Sequence, residues 1–386
     1  MTLTLTRRMF ATGSLAIGGM VLAAPGSLLA AATGGRRLLF VLQRGAADGL
    51  ATLAPVGDSA FAGLRAPFVE QYAAAPAIGS FFKLHPAFAK VGEMAAAREA
   101  LFVHAAASAY RERSHFDGQN LIESGGPKAY QVRDGWLNRL VGLLAEGELR
   151  ALALSASVPL ALQGEARVSS YAPSALPEAN EDLLQRVATL YESDPQLSQL
   201  LADAVSTRAM AGETGMRNLR NAEQTGTLAA SLMKGPQGAR IMMVESSGWD
   251  SHAGQRVQFG GAAQRLDTML GAYRSGMGAE WAETLVLVVT EFGRTVALNG
   301  SQGTDHGTAS ALMLLGGKVA GGRVIADWPG LRQSDLHEGR DLRPTTATEA
   351  VVAGAVASHF LLDPAKAMAT LFPGRDTRPS EGLLRA

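Results

Sequence analysis

Four short clusters in this chain carry the residue types that acid–base and metal chemistry need. They are Asp48; Arg113-Ser114-His115 with Asp117; Asp250 with His252; and Glu291 and Arg294 with Asp305 and His306. Imidazoles mixed with carboxylates suit a hard-to-borderline divalent ion such as zinc or manganese, whereas an all-oxygen set favours calcium or magnesium. Each cluster also has a purely local reading. On its own Asp48 reads as a turn or helix-cap aspartate, and Ser114 as a helix N-cap beside an exposed His115. As caps and loops, the same residues would rim an anion- or glycan-binding cleft.

What favours a shared site is the position of these clusters relative to predicted strands. Residues 37–42 (RLLFVL), 101–106 (LFVHAA), 240–244 (RIMMV) and 285–289 (LVLVV) are apolar runs, the last rich in β-branched side chains. Such runs suit strands of a parallel sheet buried on both faces, and each cluster follows one of them. In open α/β sheets, ligands sit beyond the carboxyl ends of the strands. Ser114 also stands just before a helix predicted to run to about Glu123, whose N–H groups and positive dipole end favour an anion. Small residues around Asp48 let the backbone turn sharply there. Further strands are expected at 151–154 and 311–315, and helices at 135–144, 255–273 and within 341–360. The Ala-, Leu-, Gln- and Glu-rich stretch from about 171 to 234 reads as a helical insertion. His104, inside a strand, is taken as a satisfied core residue.

Composition narrows the classes. With 386 residues, 47% hydrophobic and 18% charged, the chain can bury a large core, and a formal net charge of 0 gives no basis for nucleic-acid binding. The absence of cysteine excludes disulfides, thiolate metal sites and a cysteine nucleophile. No GxSxG, HExxH, Walker A or strand-GxGxxG-helix pattern occurs. At the N-terminus, Thr6-Arg7-Arg8-Met9-Phe10 precedes a mild apolar stretch and Ala30-Ala31-Ala32, a pattern similar to a twin-arginine signal over residues 1–32. The expectation is one domain over residues 33–386, exported by the twin-arginine machinery to the periplasm or beyond, with no membrane span after leader cleavage.

The leader, FVLQRGAADGL, RSHFDGQ, GWLNR, GWDSH, TEFGRT, NGSQGTDHG, the Gly-rich segment before Trp328-Pro329-Gly330-Leu331, and LFPG together resemble the exported bacterial family called domain of unknown function 1501. That family is grouped with the alkaline phosphatase and sulfatase superfamily. The resemblance implies an α/β fold with a central, mostly parallel sheet flanked by helices, and divalent metal at the strand ends. It implies metal ligands among Asp48, His115, Asp117, Asp250, His252, Glu291, Asp305 and His306, with Ser114 at the nucleophile position. In the superfamily an Asp-His-Gly sequence usually follows the strand where TEFGR stands here; Asp305-His306-Gly307 comes one loop later, a departure that bears on a second metal. The implied function is metal-dependent hydrolysis of a small anionic phosphate or sulfate ester, with Arg113 or Arg294 clamping its oxygens. Zinc comes first as the cofactor, with manganese or calcium as alternatives. The rival reading is a non-catalytic exported binding or assembly protein that keeps the fold and at most a structural metal.

Overall fold

The structure is a computed structural model describing residues 35–144, 150–175, 179–212 and 216–385. The leader expected over 1–32 lies outside these residues. Twelve strands are described: β1 (Arg37–Arg44), β2 (Leu53–Ala54), β3 (Ala77–Ile78), β4 (Phe82–Leu84), β5 (Ala100–Ala107), β6 (Ala151–Leu154), β7 (Ser169–Tyr171), β8 (Ile241–Ser247), β9 (Thr284–Thr290), β10 (Ser310–Leu315), β11 (Arg323–Ile325) and β12 (Thr346–Ala347). Nine form the central sheet in the order β11-β5-β10-β9-β1-β8-β6-β7, with β12 also pairing β5; β2, β4 and β3 form a small second sheet. Every pairing in the main sheet is parallel except those of β10, which runs antiparallel to both β5 and β9. The expected mostly parallel α/β sheet is therefore present.

Strand alternation explains why apolar runs were needed. Leu39 and Val41 of β1, with Val286 and Val288 of β9, point into one core; Leu38, Phe40 and Leu42, with Leu285, Leu287 and Val289, point into the other. Successive side chains face opposite sides of a strand, so a sheet covered on both faces needs apolar residues at every position. Helices Ala89–Ala96, Ala222–Met233 and Gln255–Met277 cover the first face, and Trp136–Leu144, Thr348–Phe360 and Pro364–Leu371 the second.

The stretch from about 171 to 234 contains helices Glu181–Tyr191, Pro195–Ala211 and Ala222–Met233, and its first residue belongs to the edge strand β7. That strand, with β11 and β12, was not legible. Each has only two or three residues and no buried apolar face. The last long helix starts at Thr348 behind Ala347, inside the stretch 341–360 expected to hold it. Among the described residues no helix is long and apolar enough to cross a membrane.

Because β1, β5, β8 and β9 are co-directional, their C-terminal ends share one edge. Antiparallel β10 starts at that edge, so Asp305 and His306, in the loop between the exit of β9 and the entry of β10, lie there too.

Candidate metal centre

At this edge His115, Asp250, His252 and His306 meet. The Nε2 of His306 lies 3.0 Å from the Nε2 of His115, 3.0 Å from the Nε2 of His252 and 3.3 Å from the Oδ1 of Asp250. Asp250 also stands 3.0 Å from His252 Nε2 and 3.5 Å from His115 Nε2. Donor atoms of His115, Asp250 and His306 all lie within 4.8 Å of one another. With metal–nitrogen bonds of about 2.0–2.1 Å, ligands of a tetrahedral zinc are roughly 3.3 Å apart, so the observed spacing fits one ion. The site faces solvent: side-chain exposure is 43% for Asp250, 47% for His252, 26% for His306 and 22% for His115.

Hydrogen bonding decides which ring nitrogens face inward. His115 Nδ1 meets Glu291 Oε1 at 2.8 Å, His252 Nδ1 meets Asp305 Oδ1 at 3.0 Å, and His306 Nδ1 meets the Arg113 carbonyl at 2.9 Å. Carboxylates and carbonyls only accept, so each Nδ1 is the donor, and the neutral ring then carries its lone pair on Nε2. The lone pair of His306 would face those of His115 and His252 across 3.0 Å. They repel unless a proton or a cation lies between them. An imidazole held through its outer N–H by a carboxylate or carbonyl is the usual arrangement of a metal-ligating histidine.

Charges follow the same logic. The hydrogen bond to Glu291 raises the pKa of His115, despite burial, while burial and the neighbouring His115 lower that of His306. Burial opposes ionisation of Glu291, but bonds from His115, Gln119 and the Gly45 N–H hold its carboxyl below the usual range. Burial likewise opposes the charge on Asp250, which the guanidinium of Arg294 outweighs through a 2.6 Å bond. Asp305 is held low chiefly by His252 and Asn299.

The predicted site residues therefore separate by position. His115, Asp250, His252 and His306 converge, whereas Glu291 and Asp305 stand one bond behind, orienting His115 and His252. Asp48 does not join them. It caps helix Gly49–Thr52 through the N–H groups of Leu50 and Ala51, and forms a buried ion pair with Arg65 at 2.6 Å. Asp117 meets Tyr110 Oη at 3.3 Å instead. Ser114 occupies the N-cap position of helix His115–Ser124, yet its side chain makes no capping bond. Both arginines expected to clamp a substrate are engaged: Arg294 is buried against Asp250 and Thr304, and Arg113 pairs with Asp341 and Glu338. Arg113 serves the cluster through its carbonyl. His104 is a core residue, its Nε2 3.0 Å from the Leu53 carbonyl. Arg65, Gln119, Gln255 and Thr304 were not anticipated, since their roles depend on partners distant in sequence or set by loop closure.

The donor set is compatible with one borderline ion. It lacks the roughly six to eight oxygen ligands calcium takes. Residues 106–372 match the family model described as "Protein of unknown function (DUF1501)". No curated protein matches the chain. Among solved structures, the chain is similar to Ps i-CgsB in complex with a neocarrahexaose, at 9% identity and TM-score 0.42 over 87% of this chain and 74% of that one. It is also similar to the C-terminal periplasmic domain of EcEptC from Escherichia coli in complex with Zn, at 7% identity and TM-score 0.36 over 74% of each chain. A third is the lipoteichoic acid synthase LtaP from Listeria monocytogenes, at 9% identity and TM-score 0.36 over 79% and 73%.

Proposed function

The chain belongs to the DUF1501 protein family, and we infer from its metal centre that it is a metal-dependent hydrolase of phosphate or sulfate esters. One observation carries this reading: three imidazole Nε2 atoms and the Asp250 carboxylate converge at a strand-end edge open to solvent. His115, Asp250, His252 and His306 would hold a single divalent ion, zinc before manganese. Such an ion lowers the pKa of an adjacent hydroxyl or water and offsets charge on the transferred group. Glu291, Asp305 and the Arg113 carbonyl keep the three rings in the tautomer that leaves Nε2 unprotonated. The N-terminus of helix His115–Ser124, where no side-chain cap bond is made, offers N–H donors and a positive dipole to an anionic oxygen. Ser114 at that N-cap is the candidate nucleophile, and a water is the alternative. The twin-arginine-like leader supports action outside the cytoplasm, which retention of the protein by a Lys-Lys replacement of Arg7-Arg8 would test.

A second reading is favoured by the Asp48–Arg65 pair. A guanidinium already neutralises Asp48, and the other candidate clamps are bound to carboxylates. A non-catalytic protein with one structural ion would look similar. The deciding experiment is elemental analysis of the exported protein beside an Asp250→Ala/His306→Ala double variant, followed by a screen of 4-nitrophenyl phosphate, bis(4-nitrophenyl) phosphate and 4-nitrophenyl sulfate. Stoichiometric metal lost from the variant, with metal-dependent turnover of one ester, establishes the hydrolase. Metal without turnover of any ester leaves the structural reading. Retained turnover in Ser114→Ala assigns attack to water.

A further inference from the structure

Behind the metal centre lies a hydrogen-bonded chain whose direction is fixed throughout. Arg294 donates from Nη1 to Asp250 and from Nε to Thr304 Oγ1 at 3.1 Å. The Thr304 hydroxyl donates in turn to Gln255 Oε1, which also accepts from Ser251 Oγ at 3.0 Å. Gln255 Nε2 then donates to Asp48 Oδ2, the oxygen paired with Arg65. Arg65, Asp48, Gln255, Ser251, Arg294 and Thr304 are all buried. Because guanidinium only donates and carboxylate only accepts, reversing any one of these bonds would unpair a buried group.

The chain also fastens the two loops that bring the ligands. Ser251 separates Asp250 from His252, and Thr304 immediately precedes Asp305 and His306. The backbone reinforces the join: Thr304 N donates to the Ser251 carbonyl at 3.0 Å, and Gln255 N to the Gln302 carbonyl at 3.0 Å. Gly303 lies so close to the 252 peptide that a Cβ there would sit 2.1 Å from the His252 carbonyl carbon.

We propose that Gln255 and Thr304 are positioning residues for the metal centre, a buried clasp that sets Asp250 against His306 before any ion arrives. The inference rests on the metal-binding reading above. Its consequence is preorganisation, so loss of the clasp weakens metal affinity even though neither residue touches the ion. Partners behind metal ligands are worth about 10–100-fold in affinity when removed.

The test is a zinc competition titration against a chromophoric chelator on the full mature chain, using Thr304→Val, Thr304→Ser and Gln255→Met. Thr304→Val keeps shape but removes the hydroxyl; because Arg294 stands between it and Asp250, zinc binding is expected to weaken about tenfold, the low end of that range. Thr304→Ser restores the hydroxyl and should recover most of that loss. A merely structural threonine would lower the unfolding midpoint of the metal-free protein without this pattern of loss and rescue. Should Thr304→Val not fold, Gln255→Met carries the same expectation. Wild-type affinity in a variant that lacks the hydroxyl or the amide overturns the clasp while leaving the metal centre standing. A wild-type protein that takes up no zinc, manganese or other divalent ion overturns both.

Discussion

Replacing Glu291 by Gln isolates the effect of charge on a ligand's hydrogen-bond partner. Glu291 Oε1 accepts from His115 Nδ1 at 2.8 Å, Gly45 N at 2.8 Å and Gln119 Nε2 at 3.1 Å, while Oε2 accepts from the Thr290 hydroxyl at 2.9 Å. A glutamine carbonyl can hold the first position and keep His115 in its present tautomer. The amide NH2 then faces Thr290, whose hydroxyl can donate instead to the Gln43 carbonyl at 2.9 Å. Shape and bond count are preserved and only the charge is lost. A hydrogen bond to a charged group contributes about 1.5–3 kcal/mol against roughly 0.5–1.5 for a neutral one. The difference of about 1.4 kcal/mol is tenfold in an equilibrium constant. Glu291→Gln should therefore bind zinc about tenfold more weakly in a chelator competition. Glu291→Ala, which frees the ring as well, should lose more. If Glu291→Gln binds zinc as the wild type does, His115 is not a ligand held through Nδ1, and the tautomer reasoning fails with it.

Three further outcomes are expected. Arg65→Met leaves the Asp48 carboxylate buried without its cation, so urea unfolding should show a loss of about 3–5 kcal/mol while stoichiometric zinc uptake persists. Gly45→Ala meets both a φ of +116° and a Cβ only 2.6 Å from Asp250 N; a destabilisation of about 1–3 kcal/mol and weakened metal binding should appear together. Burial holds His85 and His104 at pKa values of about 4 and His359 at about 3, below the unfolded value near 6.5. Their stabilisation is complete above about pH 6.5 and is lost as pH falls towards 4, on the order of 2 kcal/mol each at pH 5. The raised carboxyls of Glu123 and Glu349 act in the opposite sense, so the check is a flatter slope of stability between pH 7 and 5 in His359→Gln.

Legibility in the sequence tracked how local each determinant was. The strands containing 37–42, 101–106, 151–154 and 285–289 were readable because a strand buried on both faces is apolar at nearly every position. The ligand cluster was readable because titratable residues followed those runs. Sequence could not separate ligands from the residues that orient them. Glu291 and Asp305 look like ligands until the ring nitrogens they meet are known. Asp48 was ambiguous between cap and ligand, and its partner Arg65, seventeen positions on, carried no sequence signal. Nor could Gln255 be found by pattern, since the side-chain partners it has beyond the local turn, Asp48 and Thr304, come from distant segments.

The Asp48–Arg65 pair also bears on how many ions the edge can hold. The family resemblance of the motifs implies that the aspartate after the first strand binds metal. Here its Oδ1 accepts two helix N–H groups and its Oδ2 accepts Arg65 and Gln255. A cation entering there would have to displace a guanidinium that is itself fixed by the carbonyls of Thr295 and Val296. Expelling a buried cation from its carboxylate leaves charge without solvent or partner, at a cost of several kcal/mol. The chain thus supplies positive charge at this position covalently, and His115, Asp250 and His306 form the one group among the described residues whose ligand atoms lie close enough to hold an ion. Catalysis at this edge, if measured, should saturate at one metal per chain and show no further gain when a second equivalent is added.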